Sequence, residues 1–235
     1  FETFIHPDYQ GQGIFKKLII EGEKRARSLG IQFLLNFPNK NSLPGFTKMG
    51  WQKLDIAENW IRLKINFRTL FILKEFKKGF VASGSNYKEI INNLPISFQQ
   101  TDSNYLYSEI NLDYLKWRFF SFPNSEYAII ENEKITSIGR VGYRGKAKEV
   151  QILFVNPKSR LNINFKEVLD NYQAITNCDI INFPISKSNS IKDYLKKCRF
   201  IKVPGSTNVC YKILDSNLKI DLNKISLSAI NYHTY

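Results

Sequence analysis

Two glycines, Gly11 and Gly13, lie in a short polar turn whose composition and spacing suit phosphate binding. The turn follows a predicted strand that stops at Pro7, and it precedes a predicted helix that begins at Ile14. Glycine allows close backbone approach and positive φ angles. The N–H groups and dipole of a helix N-terminus also favour an anion there. We therefore predict a turn that binds a phosphate or pyrophosphate group.

Two common phosphate-binding motifs are excluded by the residues that follow this turn. A P-loop needs Gly-Lys-Ser/Thr, which does not follow here. The dinucleotide-binding GxGxxG pattern needs a third glycine at position 16, which is Lys16.

The turn resembles the pyrophosphate-binding signature of the GNAT superfamily of acyl-CoA-dependent N-acyltransferases. That signature reads Gln/Arg-x-x-Gly-x-Gly/Ala, and the residues here are Gln10-Gly11-Gln12-Gly13-Ile14-Phe15. Phe15 departs from it, because a small residue is usual at that position. A second family segment, Asn-x-x-Ser/Ala followed by Tyr-x-Lys-x-Gly-Phe, is similar to Asn39-Lys40-Asn41-Ser42 and Phe46-Thr47-Lys48-Met49-Gly50-Trp51.

The resemblance implies roles for particular residues. Backbone groups of Phe4 and Ile5 would hold the acyl-pantetheine arm in a split between two strands, and Asn39 would contact that arm, with Ser42 nearby. The pyrophosphate would bind backbone N–H groups of Gln10, Gly11, Gln12, Gly13, Ile14 and Phe15.

The resemblance also suggests where the acid–base groups of the reaction would lie. Glu2 is the candidate catalytic base, since it is the one carboxylate on the predicted reactive strand. Many relatives have a tyrosine where this chain has Phe46, and phenylalanine cannot donate a proton. The leaving thiolate must then be protonated in another way, or activity is lost.

The first domain is predicted to be the C-terminal half of a GNAT acyl-CoA-binding domain, residues 1–68. Its predicted helix runs from Ile14 to Gly30, and its last predicted strand covers 60–67. The chain begins with Phe1, and its single methionine is Met49. We therefore expect the earlier part of this domain to lie upstream. Residues 69–94 are predicted as a connecting helix and linker.

Residues 95–235 are predicted to form a second GNAT-like domain with the element order βββαβαβ. The segment 155–161, at the position of the first turn, contains no glycine, so this domain lacks the pyrophosphate signature. The fold class is α+β, with each domain a mixed, mainly antiparallel sheet flanked by helices. The two halves share their closing αβαβ order, which indicates an internal duplication. This second domain would bind the acceptor, act as a scaffold or be purely structural.

The composition limits the class of partner. The chain of 235 residues carries 34 Lys+Arg against 21 Asp+Glu, a net charge of +13 without a basic block. This excess is attributed to overall composition and to an anionic small ligand, because no nucleic-acid-binding motif accompanies it. The three cysteines lack CxxC spacing, so neither a zinc site nor any other metal is expected. No membrane span is predicted, and the expected location is the cytoplasm.

The resemblance implies a bacterial tandem-GNAT enzyme that transfers an acetyl group from acetyl-CoA to a primary amine. A sugar or another cell-envelope precursor is the suggested small-molecule acceptor. Two alternatives stay open. One is Fem-type aminoacyl transfer from charged tRNA, and the other is a non-catalytic CoA-binding or regulatory module. The oligomeric state does not follow from the sequence.

Overall fold

The computed structural model of the chain describes residues 5–64, 72, 74, 75, 78–84, 106–108, 110–120, 125–133, 135–157, 165–188, 191–203 and 207–232. The chain divides into two compact units. The first combines Phe1–Ile56 with Thr207–Leu222, and the second combines Ala57–Ser206 with Asn223–Tyr235. Both combine helices with mainly antiparallel strands, which confirms the predicted α+β class.

The first unit has a three-stranded antiparallel sheet with two helices. Its elements are α1 (Ile14–Ser28), β1 (Phe33–Asn36), α2 (Leu43–Lys48), β2 (Gln52–Lys53) and β11 (Cys210–Ile213). The order in the sheet is β1-β11-β2. Helix α1 forms because apolar side chains recur on one face, and it ends before Gly30, whose φ is 73°. The core of this unit contains Phe15, Ile19, Leu34, Leu43, Phe46, Met49, Trp51 and Cys210.

The second unit contains the larger sheet. Its strands are β3 (Ala57–Leu63), β4 (Phe80–Ala82), β5 (Leu106–Tyr107), β6 (Glu126–Glu131), β7 (Ile135–Arg144), β8 (Ala147–Pro157), β9 (Ile180–Ser186), β10 (Ile201–Val203) and β12 (Ile225–Ser226). Its helices are α3 (Leu112–Phe120), α4 (Phe165–Thr176), α5 (Lys192–Lys197) and α6 (Ala229–Tyr232). The main sheet has the order β10-β3-β9-β8-β7-β4, β6 pairs with β7, and β5 pairs with β12.

Two buried clusters hold this second unit together. One joins α4 and α5 to the main sheet, with Val168 and Leu195 fully buried against strand residues such as Ile181. The other joins α3 and α6 to the sheet through Leu115 and Ile230. Successive side chains of a strand point to opposite faces of the sheet, so both faces present apolar residues. Helices cover each of the two faces.

Two strands, β3 and β11, lie in a different unit from the elements that immediately precede them in the chain. Strand β3 lies between β9 and β10, so that Trp60 pairs with Phe183 on one side and with Lys202 on the other. Strand β11 lies between β1 and β2. The segments α1-β1-α2-β2-β3 and α4-β9-α5-β10-β11 therefore share one order, and the last strand of each completes the sheet of the other unit.

This exchange differs from the expected domain boundaries, in which residues 1–68 formed the first domain. The strand predicted over 60–67 is Ala57–Leu63 in the structure, and it belongs to the second unit. Its backbone N–H and C=O groups pair with β9 on one edge and β10 on the other, as buried backbone polar groups require. Residues 65–71 lie outside the described residues.

The segment 69–94, predicted as a helix and linker, contains a short strand. Within it, β4 pairs with β7 through Phe80–Arg144, Val81–Tyr143 and Ala82–Gly142. A three-residue strand between Gly79 and Gly84 has too little alternation to be recognised in the sequence. Most of the remaining residues of this segment lie outside the described part of the chain.

Candidate functional site

The predicted phosphate-binding turn is a compact turn immediately before α1. A 3-10 turn over Pro7–Tyr9 begins it, with Gln10 N–H donating to the Pro7 carbonyl at 3.1 Å. Gly11 and Gly13 follow with φ of 78° and 73°, in the left-handed region that favours glycine. A Cβ on either glycine would meet nothing within 4 Å. The two glycines are therefore needed for backbone conformation, not for space within the protein.

The N-terminus of α1 presents unpaired donors on this turn. Gly13 is the N-cap residue, and no side chain caps the helix. The first N–H group with a backbone acceptor is that of Lys17, which donates to the Gly13 carbonyl at 3.2 Å. No described residue accepts from the N–H groups between Gly11 and Lys16, and the first turn has no acidic side chain. An anion at this end of a 15-residue helix would meet several donors and the positive end of its dipole.

The two glutamines of the turn point back into it. Gln10 Nε2 donates to the Ile5 carbonyl at 3.1 Å, and Gln12 Nε2 donates to the Asp8 carbonyl at 3.4 Å. These hydrogen bonds stabilise the turn from within and occupy the side-chain amide groups of Gln10 and Gln12. The Ile5 carbonyl keeps one acceptor direction for another donor, since a carbonyl oxygen has two.

Asn39 organises the loop between β1 and α2. Its Oδ1 accepts from the N–H groups of Asn41 and Ser42, each at 2.9 Å, and from Ser42 Oγ at 3.1 Å. This Asx-type turn positions the start of α2. The Nδ2 group of Asn39 donates to no described residue, so it is the part of the side chain that remains for a ligand.

Phe15 and Phe46 are core residues of the first unit. Their rings meet edge to face with centroids 5.2 Å apart, and Phe46 meets Trp51 in the same way at 5.1 Å. Gly45 makes room for this packing, because a Cβ there would lie 2.9 Å from the Phe15 ring. The bulky residue that departs from the turn signature is thus accommodated by a glycine on α2. The Phe15 side chain points inward, and no described residue accepts from its N–H group.

Two predicted site residues, Glu2 and Phe4, lie outside the described residues. Among the side chains that the structure describes, no group of three or more His, Cys, Asp or Glu could hold a metal ion. No helix within the described ranges is long and apolar enough to cross a membrane.

The second unit contains a gap between two parallel strands, and the chain itself fills it. Strands β8 and β9 pair from Glu149–Ile180 to Gln151–Asn182. Further along β9, Ser186 N–H donates to the Leu227 carbonyl at 3.0 Å, and Leu227 N–H returns a 3.0 Å bond to Ser186 Oγ. Residues 229 and 230 of α6 pack in the cluster that contains Leu153 and Phe154 of β8. The segment 225–230 therefore occupies the space where the two strands diverge.

Comparisons with known proteins support one fold. The sequence matches no family model and no curated protein. A GCN5-related N-acetyltransferase from Anabaena variabilis matches with a TM-score of 0.55 and 13% identity, over 90% of this chain and 53% of that chain. Eis1 from Mycobacterium abscessus matches with a TM-score of 0.50 and 7% identity, over 90% and 55%. The chain has the GNAT fold. It spans about half the length of these two structures.

Within the GNAT fold, the two units contain elements in the same order. In each, a helix, a strand, a short helix and a further strand follow one another, and the first unit alone has a glycine-containing turn before the long helix. In the second unit, residues 158–164 before α4 lie outside the described residues.

One feature of the second unit was missed in the sequence. A polar pocket is lined by Glu58 and Trp60 from β3, Lys187 and Ser188 after β9, Lys192, Asp193 and Lys196 from α5, and Lys202 from β10. These residues are spread over 145 positions of chain, and none lies in a recognisable motif. The exchanged position of β3 brings Glu58 to the lysines, and no local pattern in the sequence predicts that exchange.

Proposed function

We propose that the chain is part of an N-acetyltransferase that transfers an acetyl group from acetyl-CoA to a primary amine. The observation that carries this proposal is the set of unpaired N–H groups from Gly11 to Lys16 at the start of α1. A pyrophosphate suits such a site, since it offers several acceptor oxygens and negative charge. The GNAT fold supports acyl-CoA as the molecule that carries this pyrophosphate.

In the proposed reaction the amine nitrogen attacks the thioester carbonyl carbon. A C–N bond forms, the C–S bond breaks, CoA leaves as a thiolate and the amine loses a proton. Backbone groups of Phe4 and Ile5, with Asn39 Nδ2, would hold the pantetheine arm, and Glu2 would accept the proton. The protein would accelerate the step mainly by holding both reactants in a reactive geometry.

We further propose that each chain binds one acetyl-CoA, in the first unit. In the second unit the gap between β8 and β9 would be the corresponding place for a pantetheine arm. That gap contains residues 225–230, held by hydrogen bonds between Ser186 and Leu227. A second arm would have to displace packed side chains such as Ile230, which is fully buried.

Isothermal titration of acetyl-CoA into the full-length protein tests the cofactor. We expect saturable binding of one molecule per chain. Gly13→Asp should abolish it, because the new carboxylate would compete for the same N–H groups and repel the pyrophosphate. Gly22→Asp is the matched control, since Gly22 lies on the same helix with open space around it. An absence of binding at millimolar acetyl-CoA would refute the proposal.

A second candidate is a CoA-binding module without catalysis, and the burial of Phe46 favours it. The Phe46 side chain has no acidic proton to donate, and its ring packs against Phe15 and Trp51 in the core. Release of the CoA thiol should be measured over a panel of primary amines that includes amino sugars and cell-envelope precursors. Turnover supports the transferase, whereas binding without turnover over the whole panel supports the module. Binding of charged tRNA with indifference to CoA would indicate Fem-type transfer instead.

A further inference from the structure

One ammonium group, that of Lys212 on β11, connects the two helices of the first unit. Its Nζ donates to both carboxylate oxygens of Glu23, at 2.9 Å and 2.7 Å, and to the Met49 carbonyl at 2.9 Å. Glu23 lies on α1, and Met49 is the residue at which α2 ends. Only 22% of the Lys212 side chain and 13% of the Glu23 side chain are exposed, so this ion pair is largely withdrawn from solvent.

Trp51 strengthens the same connection between α1 and α2. Its Nε1 donates to Glu23 Oε1 at 2.7 Å. Its ring meets the ring of Phe46 on α2 edge to face, with centroids 5.1 Å apart. The Glu23 carboxylate therefore accepts from an ammonium group and from an indole N–H. Hydrogen bonds to a charged group are shorter and stronger than neutral ones, so these contacts hold the two helices in one relative orientation.

The second unit has a related contact at the equivalent positions. Lys212 lies opposite Leu34, the second residue of β1, and Arg62 of β3 lies opposite Ile181, the second residue of β9. Arg62 Nη2 donates to Asp170 of α4 at 3.1 Å. In each unit, a cation on a strand from the other half of the chain thus contacts a carboxylate on the long helix.

The contact in the second unit does not extend to the short helix. Within the described part of the chain, Arg62 donates to Asp170, and its Nη1 meets no acceptor, whereas Lys212 also reaches the end of α2. Phe200 stands at the position of Trp51 and has no N–H to donate. The connection between the long and the short helix therefore occurs in the unit that carries the proposed acetyl-CoA site.

We propose that Lys212 is a positioning residue for acetyl-CoA, because it fixes the orientation of α1 relative to α2. This inference rests on the proposed function, in which the pyrophosphate binds at the start of α1 and the pantetheine arm at Asn39, in the loop before α2. A ligand that spans two subsites gains affinity from the second one only when the two are correctly spaced. Loss of Lys212 should therefore weaken binding of the whole cofactor and spare a fragment that occupies one subsite.

Separate titrations of the full chain with acetyl-CoA and with ADP test the proposal, since ADP carries the pyrophosphate and lacks the pantetheine arm. The amide signals of Gly11 and Gly13 in ¹H–¹⁵N NMR spectra report both dissociation constants. We expect Lys212→Met to weaken acetyl-CoA binding about 10-fold and ADP binding less than about 2-fold. Lys212→Arg should bind acetyl-CoA within about 3-fold of the wild type, because arginine keeps the ion pair with Glu23.

Arg62→Met is the matched control, since it removes the cation at the equivalent position of the second unit. It should leave both dissociation constants unchanged. Trp51→Phe reproduces the residue of the second unit and removes one hydrogen bond to Glu23. It should weaken acetyl-CoA binding about 3-fold without affecting ADP, and it decides the question if Lys212→Met does not fold.

The titrations separate failure of this inference from failure of the proposed function. A wild type that binds acetyl-CoA, with variants that lose acetyl-CoA and ADP affinity equally or lose neither, would overturn the positioning role alone. An effect of Arg62→Met as large as that of Lys212→Met would overturn it as well. A wild type that does not bind acetyl-CoA would refute the proposed function and this inference with it.

Discussion

Lys212 on β11 binds both carboxylate oxygens of Glu23 on α1, at 2.9 Å and 2.7 Å. The same ammonium group donates to the Met49 carbonyl at 2.9 Å. Trp51 Nε1 donates to Glu23 Oε1 at 2.7 Å, so the carboxylate is held from two sides. These hydrogen bonds connect β11, a strand late in the chain, to the helix that carries the proposed pyrophosphate site.

Lys212→Met should destabilise the first unit by about 2 kcal/mol, because it leaves the Glu23 carboxylate partly buried without its counter-charge. Urea unfolding monitored by circular dichroism measures this loss. Lys219→Met is the control, since Lys219 is exposed in the same part of the chain. Glu23→Gln combined with Lys212→Met should recover part of the loss. Equal effects of Lys212→Met and Lys219→Met would contradict the stabilising role of the pair.

Because of the strand exchange, we expect that neither fragment folds alone when the chain is cut between residues 68 and 69. The fragment 1–68 lacks β11, and the fragment 69–235 lacks β3, so each sheet would lose a strand that has partners on both sides. We expect either fragment alone to be unfolded or insoluble, because exposed strand edges remain. Co-expressed, the two should associate and give the circular dichroism spectrum of the intact chain. A folded, monomeric fragment 1–68 would show that β11 is dispensable.

Gly45→Ala should destabilise the first unit although alanine is the better helix former. The added methyl group would lie 2.9 Å from the Phe15 ring, which is itself packed against Phe46. Overpacking costs about 1–3 kcal/mol, against a helix-propensity gain of about 1 kcal/mol. Phe15→Leu should relieve the clash, so a double-mutant cycle should give a favourable coupling of about 1 kcal/mol. Additive effects of the two substitutions would contradict the proposed complementarity.

Glu58 should make stability depend on pH. Burial raises the pKa of Glu58, but hydrogen bonds from Lys202 and Trp60 and the charges of Lys192 and Lys202 hold the pKa below its ordinary value. Because the folded pKa lies below the unfolded one, the stabilisation is present above the unfolded pKa and is lost as pH falls through the folded pKa.

The difference in free energy of unfolding between the wild type and Glu58→Gln should therefore stay constant from about pH 7 to about pH 5.5 and shrink between about pH 5 and pH 3. Denaturant titrations at each pH measure it. Glu133→Gln, at an exposed turn between β6 and β7, corrects for the removal of a surface carboxylate. A difference that grows as the pH falls would contradict the sign of the pKa shift.

Local features of the sequence determined the turn and the helix of the candidate site. Gly11 and Gly13 both adopt the positive φ that the spacing predicts, and α1 begins at Ile14 as expected. These features depend on interactions between residues close in the chain. The backbone preferences of glycine and the helical period of apolar residues act over a few positions, so they can be recognised without the rest of the fold.

Several properties of the site required the tertiary structure. Phe15 departs from the family signature, and its fit depends on Gly45, which is 30 positions away. The amide oxygen of Asn39 caps its own loop, which leaves its Nδ2 for a ligand. The acid–base residues of the proposed reaction remain predictions, because Glu2 lies outside the described residues.

The sequence by itself determined the longer helices and most of the longer strands, whereas the tertiary structure alone decided which strands are neighbours. Strands β3 and β11 are short and consist mostly of buried or partly buried residues, and nothing in their sequences specifies a partner strand. Their exchange sets the division into units and brings Glu58 among lysines far away in the chain. Alternation specifies which face of a strand is buried, but pairing depends on backbone hydrogen bonds that any strand can make.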